Sequence, residues 1–157
     1  MKKYKVLVIN RLSLVDPKQL GRSIVNRLTE PLDYLYQKGL VEFEVFNPEN
    51  ITYEILESKK FDVVFINKAC DQLTLEVAKI INSLKIKIIY DLDDNIFEFP
   101  NYSNASSENK SIGLEILKIS SRIITCNLPL DRLIWKHLKK RTTIIEHGIN
   151  VEKYTLK

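Results

Sequence analysis

Short apolar runs rich in β-branched residues recur along the chain and are separated by segments with helical periodicity. Most of the runs are continuously apolar rather than alternating, which is typical of strands in a parallel sheet covered on both faces. Six segments are therefore predicted to be strands: residues 6–9, 41–46, 63–66, 86–90, 123–125 and 143–145.

Five segments between these strands have the pattern of amphipathic helices: residues 21–38, 53–59, 73–84, 113–120 and 129–140. In the third, apolar residues recur every three or four positions, as expected for a stripe that packs on a sheet. The alternation of strand and helix predicts right-handed crossovers. The fold class is therefore predicted to be α/β, with a Rossmann-like, doubly wound, mainly parallel sheet of about six strands in three αβα layers.

The organisation of the chain predicts one domain over residues 1–157, because no internal repeat or linker divides it. The polar stretch 101–111 is poor in apolar residues and is predicted to be a surface loop. Because it follows an acidic segment, a lid over that segment and an ordinary loop are both open alternatives.

Composition and charge narrow the class of protein. A chain of 157 residues, 45% hydrophobic and 28% charged, is long enough to bury a core without disulfides or metal. Its two cysteines, Cys70 and Cys126, are expected to be free thiols in a reducing compartment. Residues 1–78 contain 11 basic and 11 acidic residues, and the rest of the chain contains 13 basic and 9 acidic residues. This excess of basic residues in the second part is too small to predict nucleic-acid binding.

Targeting signals are weak. The first apolar run is too short for the core of a secretory signal, and no apolar stretch is long enough for a spanning helix. The expected location is therefore cytoplasmic, and any membrane contact would be peripheral.

Several classes of enzyme lack their motifs in this sequence. Neither a dinucleotide-binding glycine fingerprint nor a P-loop follows the first strand, and no G-x-S-x-G nucleophile elbow occurs. His137 and His147 have no companions at metal-ligand spacing. The sequence therefore predicts no cofactor and no metal site.

Three carboxylates within four residues are the strongest local signal. Asp91, Asp93 and Asp94 follow the fourth predicted strand in the segment YDLDDN. They repel one another unless they are solvated, hydrogen-bonded or facing a cation or sugar hydroxyls. Because doubly wound sheets bind ligands at the carboxyl ends of their strands, a functional site is predicted here. A solvated turn in which Asp93 or Asp94 caps backbone amides is the structural alternative.

One hypothesis for this segment is hydrolysis of phosphate esters. Asp91-Leu92-Asp93 is similar to the D-x-D motif of the haloacid dehalogenase-like phosphatases, with Asn95 where that family has Thr. The resemblance implies that Asp91 is the nucleophile and Asp93 the acid. That family carries its motif at the first strand, whereas here only 66 residues follow Asp91.

A second resemblance covers nearly the whole chain and rests on four stretches in sequence order. They are R-x-x-x-P at residues 27–31 with Leu35 and Gly39, FDVVFINK at 61–68, IIYDLDD at 88–94, and IITCN at 123–127 with Leu130 and Leu133, followed by IIEHGIN at 144–150. Together they resemble the N-terminal domain of GT-B, group 1 type bacterial glycosyltransferases. Glu146 and His147 stand where that family usually has Pro and Asn.

The glycosyltransferase resemblance implies a function. The chain would be the acceptor-binding domain of a nucleotide-sugar-dependent enzyme of cell-surface polysaccharide or glycan synthesis, acting on a sugar or lipid-linked acceptor. The nucleotide-sugar donor would be bound by a C-terminal domain following Lys157, and the isolated chain would be inactive. A non-catalytic Rossmann-like module that binds a sugar, a nucleotide or a partner domain is a third interpretation.

The resemblance also implies candidate site residues. Asp94, Asp93 and Asp91 would bind acceptor hydroxyls, one of them as a base. Arg27 and Lys68 would contact an acceptor phosphate or the donor pyrophosphate. Alternatives are open for three candidate substrate-binding residues: Arg27 as a surface cation, Asn127 as a helix cap rather than a sugar ligand, and His147 as a structural residue.

The last predicted helix is basic and amphipathic. Its basic residues are Arg132, Lys136, Lys139, Lys140 and Arg141, and its apolar residues are Leu130, Leu133, Ile134, Trp135 and Leu138. Such a helix either rests on anionic lipid at the inner face of the membrane or packs on the sheet with a solvated cationic face. Both interpretations are open from the sequence.

Overall fold

The computed structural model describes residues 2–10, 22–98 and 106–148, and within them six strands form a single parallel sheet. The strands are β1 (Tyr4–Ile9), β2 (Val41–Phe46), β3 (Val63–Asn67), β4 (Lys87–Leu92), β5 (Arg122–Thr125) and β6 (Thr143–Ile144). The α/β, Rossmann-like prediction is confirmed, and each of the six predicted strands lies in this sheet.

The strand order, β2-β1-β3-β4-β5-β6, is one of the two common orders of doubly wound sheets. The chain moves one way from β1 to β2 and the other way from β3 onward. The order therefore reverses between β1 and β3, and ligands of such sheets bind beside this point at the carboxyl ends of the strands.

The first helical segment is continuous but not uniform. It comprises α1 (Arg22–Ile24), a π-helical stretch (Val25–Thr29) and α2 (Glu30–Gln37). Pro31 has no N–H to donate to the carbonyl of Arg27, and Glu30 donates its N–H to the carbonyl of Val25, five residues earlier. The helix therefore widens around Arg27, and such π-turns occur often at functional sites.

The remaining helices are α3 (Tyr53–Lys59), α4 (Gln72–Ser83), α5 (Ser107–Ile119) and α6 (Leu128–Leu138), with a 3-10 turn at Pro48–Asn50. In the described part of the chain, no helix combines the length and apolar character needed to span a membrane.

The predicted loop over residues 101–111 is wrong where it can be compared, because α5 begins at Ser107. A capping box starts this helix: the Ser106 hydroxyl accepts the N–H of Asn109, and the Asn109 side chain accepts the N–H of Ser106. Buried Ile112 and Ile116 then fix α5 on the sheet. Residues 101–105 lie outside the described part of the chain, and the lid hypothesis with them.

Two apolar cores lie on opposite faces of the sheet. In β1, Leu7 and Ile9 pack in the core beneath α3 to α6, whereas Val6 and Val8 pack in the core beneath α1 and α2. Among the residues that the structure describes, one helical segment thus covers β1 to β3 on one side, and four helices cover the other side.

Tyr90 connects β4 to the segment that follows β3. It is fully buried, and its hydroxyl donates to the carbonyl of Ala69 at 2.8 Å. Burial raises the pKa of Tyr90 well above its ordinary value. The native state therefore holds this side chain neutral, and its hydrogen bond fixes the backbone next to Lys68.

We expect Tyr90→Phe to lower the free energy of unfolding by about 1–2 kcal/mol at neutral pH, because a buried carbonyl loses its donor. The unfolded tyrosine ionises near pH ~10, whereas the native one stays neutral. The wild type therefore loses stability above that pH, and the difference from the Phe variant should narrow. Urea unfolding of both proteins measures this, and a difference that stays constant up to about pH 11 would contradict it.

Candidate functional site

The carboxyl ends of β3 and β4 bring a lysine beside two aspartates. Lys68 follows β3 with a left-handed φ of 32°, and its backbone N–H donates to the carbonyl of Asp91 at 2.9 Å. Its Nζ donates to Asp94 Oδ2 and lies 3.8 Å from Asp93 Oδ1. We call Lys68, Asp93 and Asp94 the lysine–aspartate cluster.

Asp93 carries an unsatisfied oxygen in this cluster. Its side chain is 7% exposed, and its Oδ1 atom is buried without a hydrogen-bond partner among the described residues. The 3.8 Å separation from Lys68 Nζ is too long for a hydrogen bond. Because a buried acceptor without a donor costs free energy, a donor from a ligand or a shift of Lys68 would stabilise this oxygen.

A second unsatisfied acceptor lies at the same edge of the sheet. Asn10 follows β1, is 2% exposed, and its Oδ1 atom has no hydrogen-bond partner among the described residues. Two buried acceptors without donors thus lie at the ends of β1 and β4, on either side of β3. This is where a doubly wound sheet is expected to bind a ligand.

The charges of the lysine–aspartate cluster determine the protonation state of Lys68 at neutral pH. Burial alone would lower the pKa of Lys68, but its hydrogen bond to Asp94 and the charges of Asp93 and Asp94 hold the pKa above its ordinary value. Lys68 is therefore a cation rather than a base at neutral pH. Asp94, at 65% exposure, is the most accessible carboxylate of the cluster.

Asp91 lies inside β4 rather than beyond it, and its side chain is 1% exposed. It accepts hydrogen bonds from Nε and Nη2 of Arg27 and, at 2.8 Å, from Nδ2 of Asn67. Asn67 and Asp91 are register partners on neighbouring strands. Asp91 is thus fully engaged within the protein.

Arg27 lies in the π-helical stretch, and its side chain is 5% exposed, so the surface-cation alternative is wrong. Its hydrogen bond to Asp91 is the main reason that its pKa is raised. Nη1 also donates to the carbonyl of Ile145 at 3.3 Å. The Arg27–Asp91 pair therefore connects the first helical segment, β4 and the segment after β6.

Asn127 is the N-cap of α6, as its structural alternative proposed. Its Oδ1 accepts the N–H of Leu130 at 3.0 Å, and its Nδ2 donates to Cys126 Sγ at 3.2 Å. The Cys126 thiol in turn donates to the carbonyl of Asp93 at 3.4 Å. Asn127 thus reaches the lysine–aspartate cluster through Cys126, whereas His147 lies exposed beyond β6.

A cleft of about 560 Å³ opens between the first helical segment and the sheet. Leu28, Leu35, Phe65, Ile124 and Ile145 are among the apolar residues that line it. The Arg27–Asp91 pair lies at its wall. Asn26, Glu30 and Glu146 line the cleft as well. A mainly apolar cleft with a few polar groups suits a ligand that has an apolar part.

Sequence reasoning missed Asn10, Asn67 and Cys126 as parts of this region. Asn10 and Asn67 are polar residues at the ends of apolar strands, a signal that was present in the sequence. Their contacts depend on strand order, which the sequence pattern does not define.

Neither a metal site nor a known protein family is identified for this chain in the described residues and in the comparisons with known proteins. In the described part of the chain, no group of three or more His, Cys, Asp or Glu side chains is placed to hold a metal ion. Comparison with models of known protein families and with curated proteins finds no match to this chain. The functional argument therefore rests on the fold and on the contacts at the carboxyl edge of the sheet.

Proposed function

We propose that this chain is the acceptor-binding half of a nucleotide-sugar-dependent glycosyltransferase that acts in the bacterial cytoplasm on a cell-surface glycan. The observation that carries the proposal is the buried Asp93 Oδ1, which has no hydrogen-bond donor among the described residues and lies beside the Lys68–Asp94 ion pair. A sugar hydroxyl can donate to a carboxylate and accept from an ammonium group. The doubly wound fold and the order of the four resembling stretches support the same function.

In the proposed reaction, Asp94 is the base. An acceptor hydroxyl would donate to Asp94, lose its proton to that carboxylate, and attack the anomeric carbon of the donor sugar. The bond from that carbon to the phosphate oxygen would break, and the nucleoside diphosphate would leave, stabilised by the donor-binding domain. Lys68 would hold Asp94 in place.

Arg27 and Asp91 have a positioning role in this proposal. Both side chains are buried and paired with each other, so they hold the end of β4 rather than contact the sugar. The adjoining apolar cleft would accommodate the apolar part of a lipid-linked acceptor.

Phosphatase chemistry gains no support from these contacts. A nucleophilic Asp91 would need to leave three hydrogen-bond donors and a site that is 1% exposed. We expect no Mg²⁺-dependent hydrolysis of p-nitrophenyl phosphate by the chain. Turnover that needs Mg²⁺ and disappears in Asp91→Asn would reverse this conclusion.

The experiment that tests the proposed function is a screen of nucleotide-sugar donors and acceptors on the complete gene product. We expect transfer of one sugar, and we expect Asp93→Asn to reduce it. The control is Asp62→Asn, since Asp62 pairs with Lys2 at the amino ends of the strands, away from the carboxyl ends where the lysine–aspartate cluster lies. Acceptor binding without transfer by any donor would favour a non-catalytic module instead.

A further inference from the structure

The outward face of α6 combines cations with exposed apolar side chains. Leu128, Arg132, Trp135 and Lys136 follow one another at intervals of four, three and one residues, which places them on one side of the helix, and Lys139 is the C-cap at which the helix ends, with a left-handed φ of 56°. We call them the α6 stripe. Leu128 is 57% exposed and Trp135 is 41% exposed, and the three basic side chains are exposed as well.

The opposite side of α6 already anchors the helix. Ile134 is buried in the core shared with α5, and Leu133 and Leu138 pack against that core. The His137 ring stacks on Phe97 with centroids 4.5 Å apart. The exposed Leu128 and Trp135 are therefore not needed to hold α6 on the sheet, and packing alone does not account for them.

The charge of the α6 stripe is not compensated by carboxylates of the same helix. Asp131 is the sole acidic residue of α6. It is 8% exposed, and it accepts the N–H and the hydroxyl of Thr142. Arg141, whose side chain is 75% exposed, stacks on the Trp135 ring at 4.5 Å from its centroid, but its Nη1 lies 3.9 Å from Asp131 Oδ2, so its charge is partly compensated.

Lys140 does not belong to this surface. Its Nζ donates to the carbonyls of Leu117, Lys118 and Ser120 at the end of α5, and burial lowers its pKa. The structure thus separates the basic residues of this region into one that caps a helix and several that face outward.

We propose that the α6 stripe docks this chain on the surface of an anionic lipid bilayer. Lysine and arginine are attracted to anionic headgroups, and tryptophan prefers the boundary between headgroups and acyl chains. We assign a lipid surface as the binding partner because the α6 stripe carries exposed Trp and Leu side chains, which can enter the bilayer interface, beside its cations. The contact is peripheral and does not depend on the proposed glycosyl transfer.

The test uses vesicles of two parts phosphatidylcholine to one part phosphatidylglycerol, compared with phosphatidylcholine alone. Trp135 is the only tryptophan of the chain, so its emission reports directly on the α6 stripe. We expect the chain to sediment with the anionic vesicles, to show a blue shift of its emission, and to bind less as salt is added. Each cation near such a surface strengthens binding about fivefold.

Lys136→Glu with Lys139→Glu should therefore weaken vesicle binding by at least about 25-fold. The matched control is Lys3→Glu with Lys38→Glu, which changes the net charge equally beside β2, the strand farthest from β6 in the sheet, and should retain most of the binding. Lys136→Gln with Lys139→Gln replaces the reversed pair if that variant does not fold.

Three results would overturn the proposal: equal binding to the neutral vesicles, equal loss in the control pair, or binding without a change in Trp135 emission. Binding to RNA by the same residues, with none to the vesicles, would assign the α6 stripe to a different partner and overturn it as well.

Discussion

Replacing Arg27 with Met is expected to lower the free energy of unfolding by about 3–5 kcal/mol, because it leaves the Asp91 carboxylate buried without its cation. Asp91 is 1% exposed, and Arg27 supplies two of its hydrogen-bond donors. Adding Asp91→Asn to Arg27→Met removes the unpaired charge and should recover most of the loss. Urea unfolding of the two single variants and the double variant measures the coupling.

The matched control for this cycle is the exposed pair of Lys59 and Glu44, whose side chains are 40% and 43% exposed. Lys59→Met should cost less than about 1 kcal/mol, as exposed pairs do. If Arg27→Met also costs less than about 1 kcal/mol, the buried pair does not hold β4 in the way described.

Asp94→Ala is expected to reduce the proposed glycosyl transfer, assayed with the complete gene product, about 100-fold or more, the usual contribution of a general base. The fold should tolerate this change, because removing one of three neighbouring carboxylates relieves repulsion and frees Lys68 to pair with Asp93. We expect the free energy of unfolding to change by less than about 0.5 kcal/mol.

The control for the Asp94 variant is Asp62→Ala, which removes another aspartate that pairs with a lysine. It should leave transfer unchanged. A variant at Asp94 that unfolds, while its folded fraction keeps full activity, would show that Asp94 has a structural role only.

The strands could be predicted from sequence because their residues carry a local signal. Continuous β-branched runs such as residues 63–66 suit a sheet covered on both faces, and each predicted run lies in the sheet. The sequence pattern did not predict the start of α5, and the reason is also local. Ser106 and Asn109 form a capping box with Asn in place of the usual Glu or Gln, and the apolar stripe of the helix begins only at Ile112.

The candidate site was predicted in part. Lys68, Asp93 and Asp94 lie together because they come within two residues of the carboxyl ends of two neighbouring parallel strands. The pairing of Arg27 with Asp91 was not predictable, since the two residues are 64 positions apart and the pairing depends on which face of β4 the first helical segment covers. The unsatisfied Asp93 oxygen depends on side-chain geometry, about which a sequence pattern carries no information.

The most direct test of the acceptor-side assignment is calorimetric titration of the 157-residue chain with nucleotide-sugar donors and with the acceptor found in the transfer screen. We predict that the chain binds the acceptor, that Asp94→Ala weakens this binding, and that UDP- and GDP-sugars show no tight binding. The sequence lacks a glycine-rich phosphate cradle that would hold such a donor. Micromolar binding of a donor sugar nucleotide by this chain, or acceptor binding that Asp94→Ala leaves unchanged, would contradict the account.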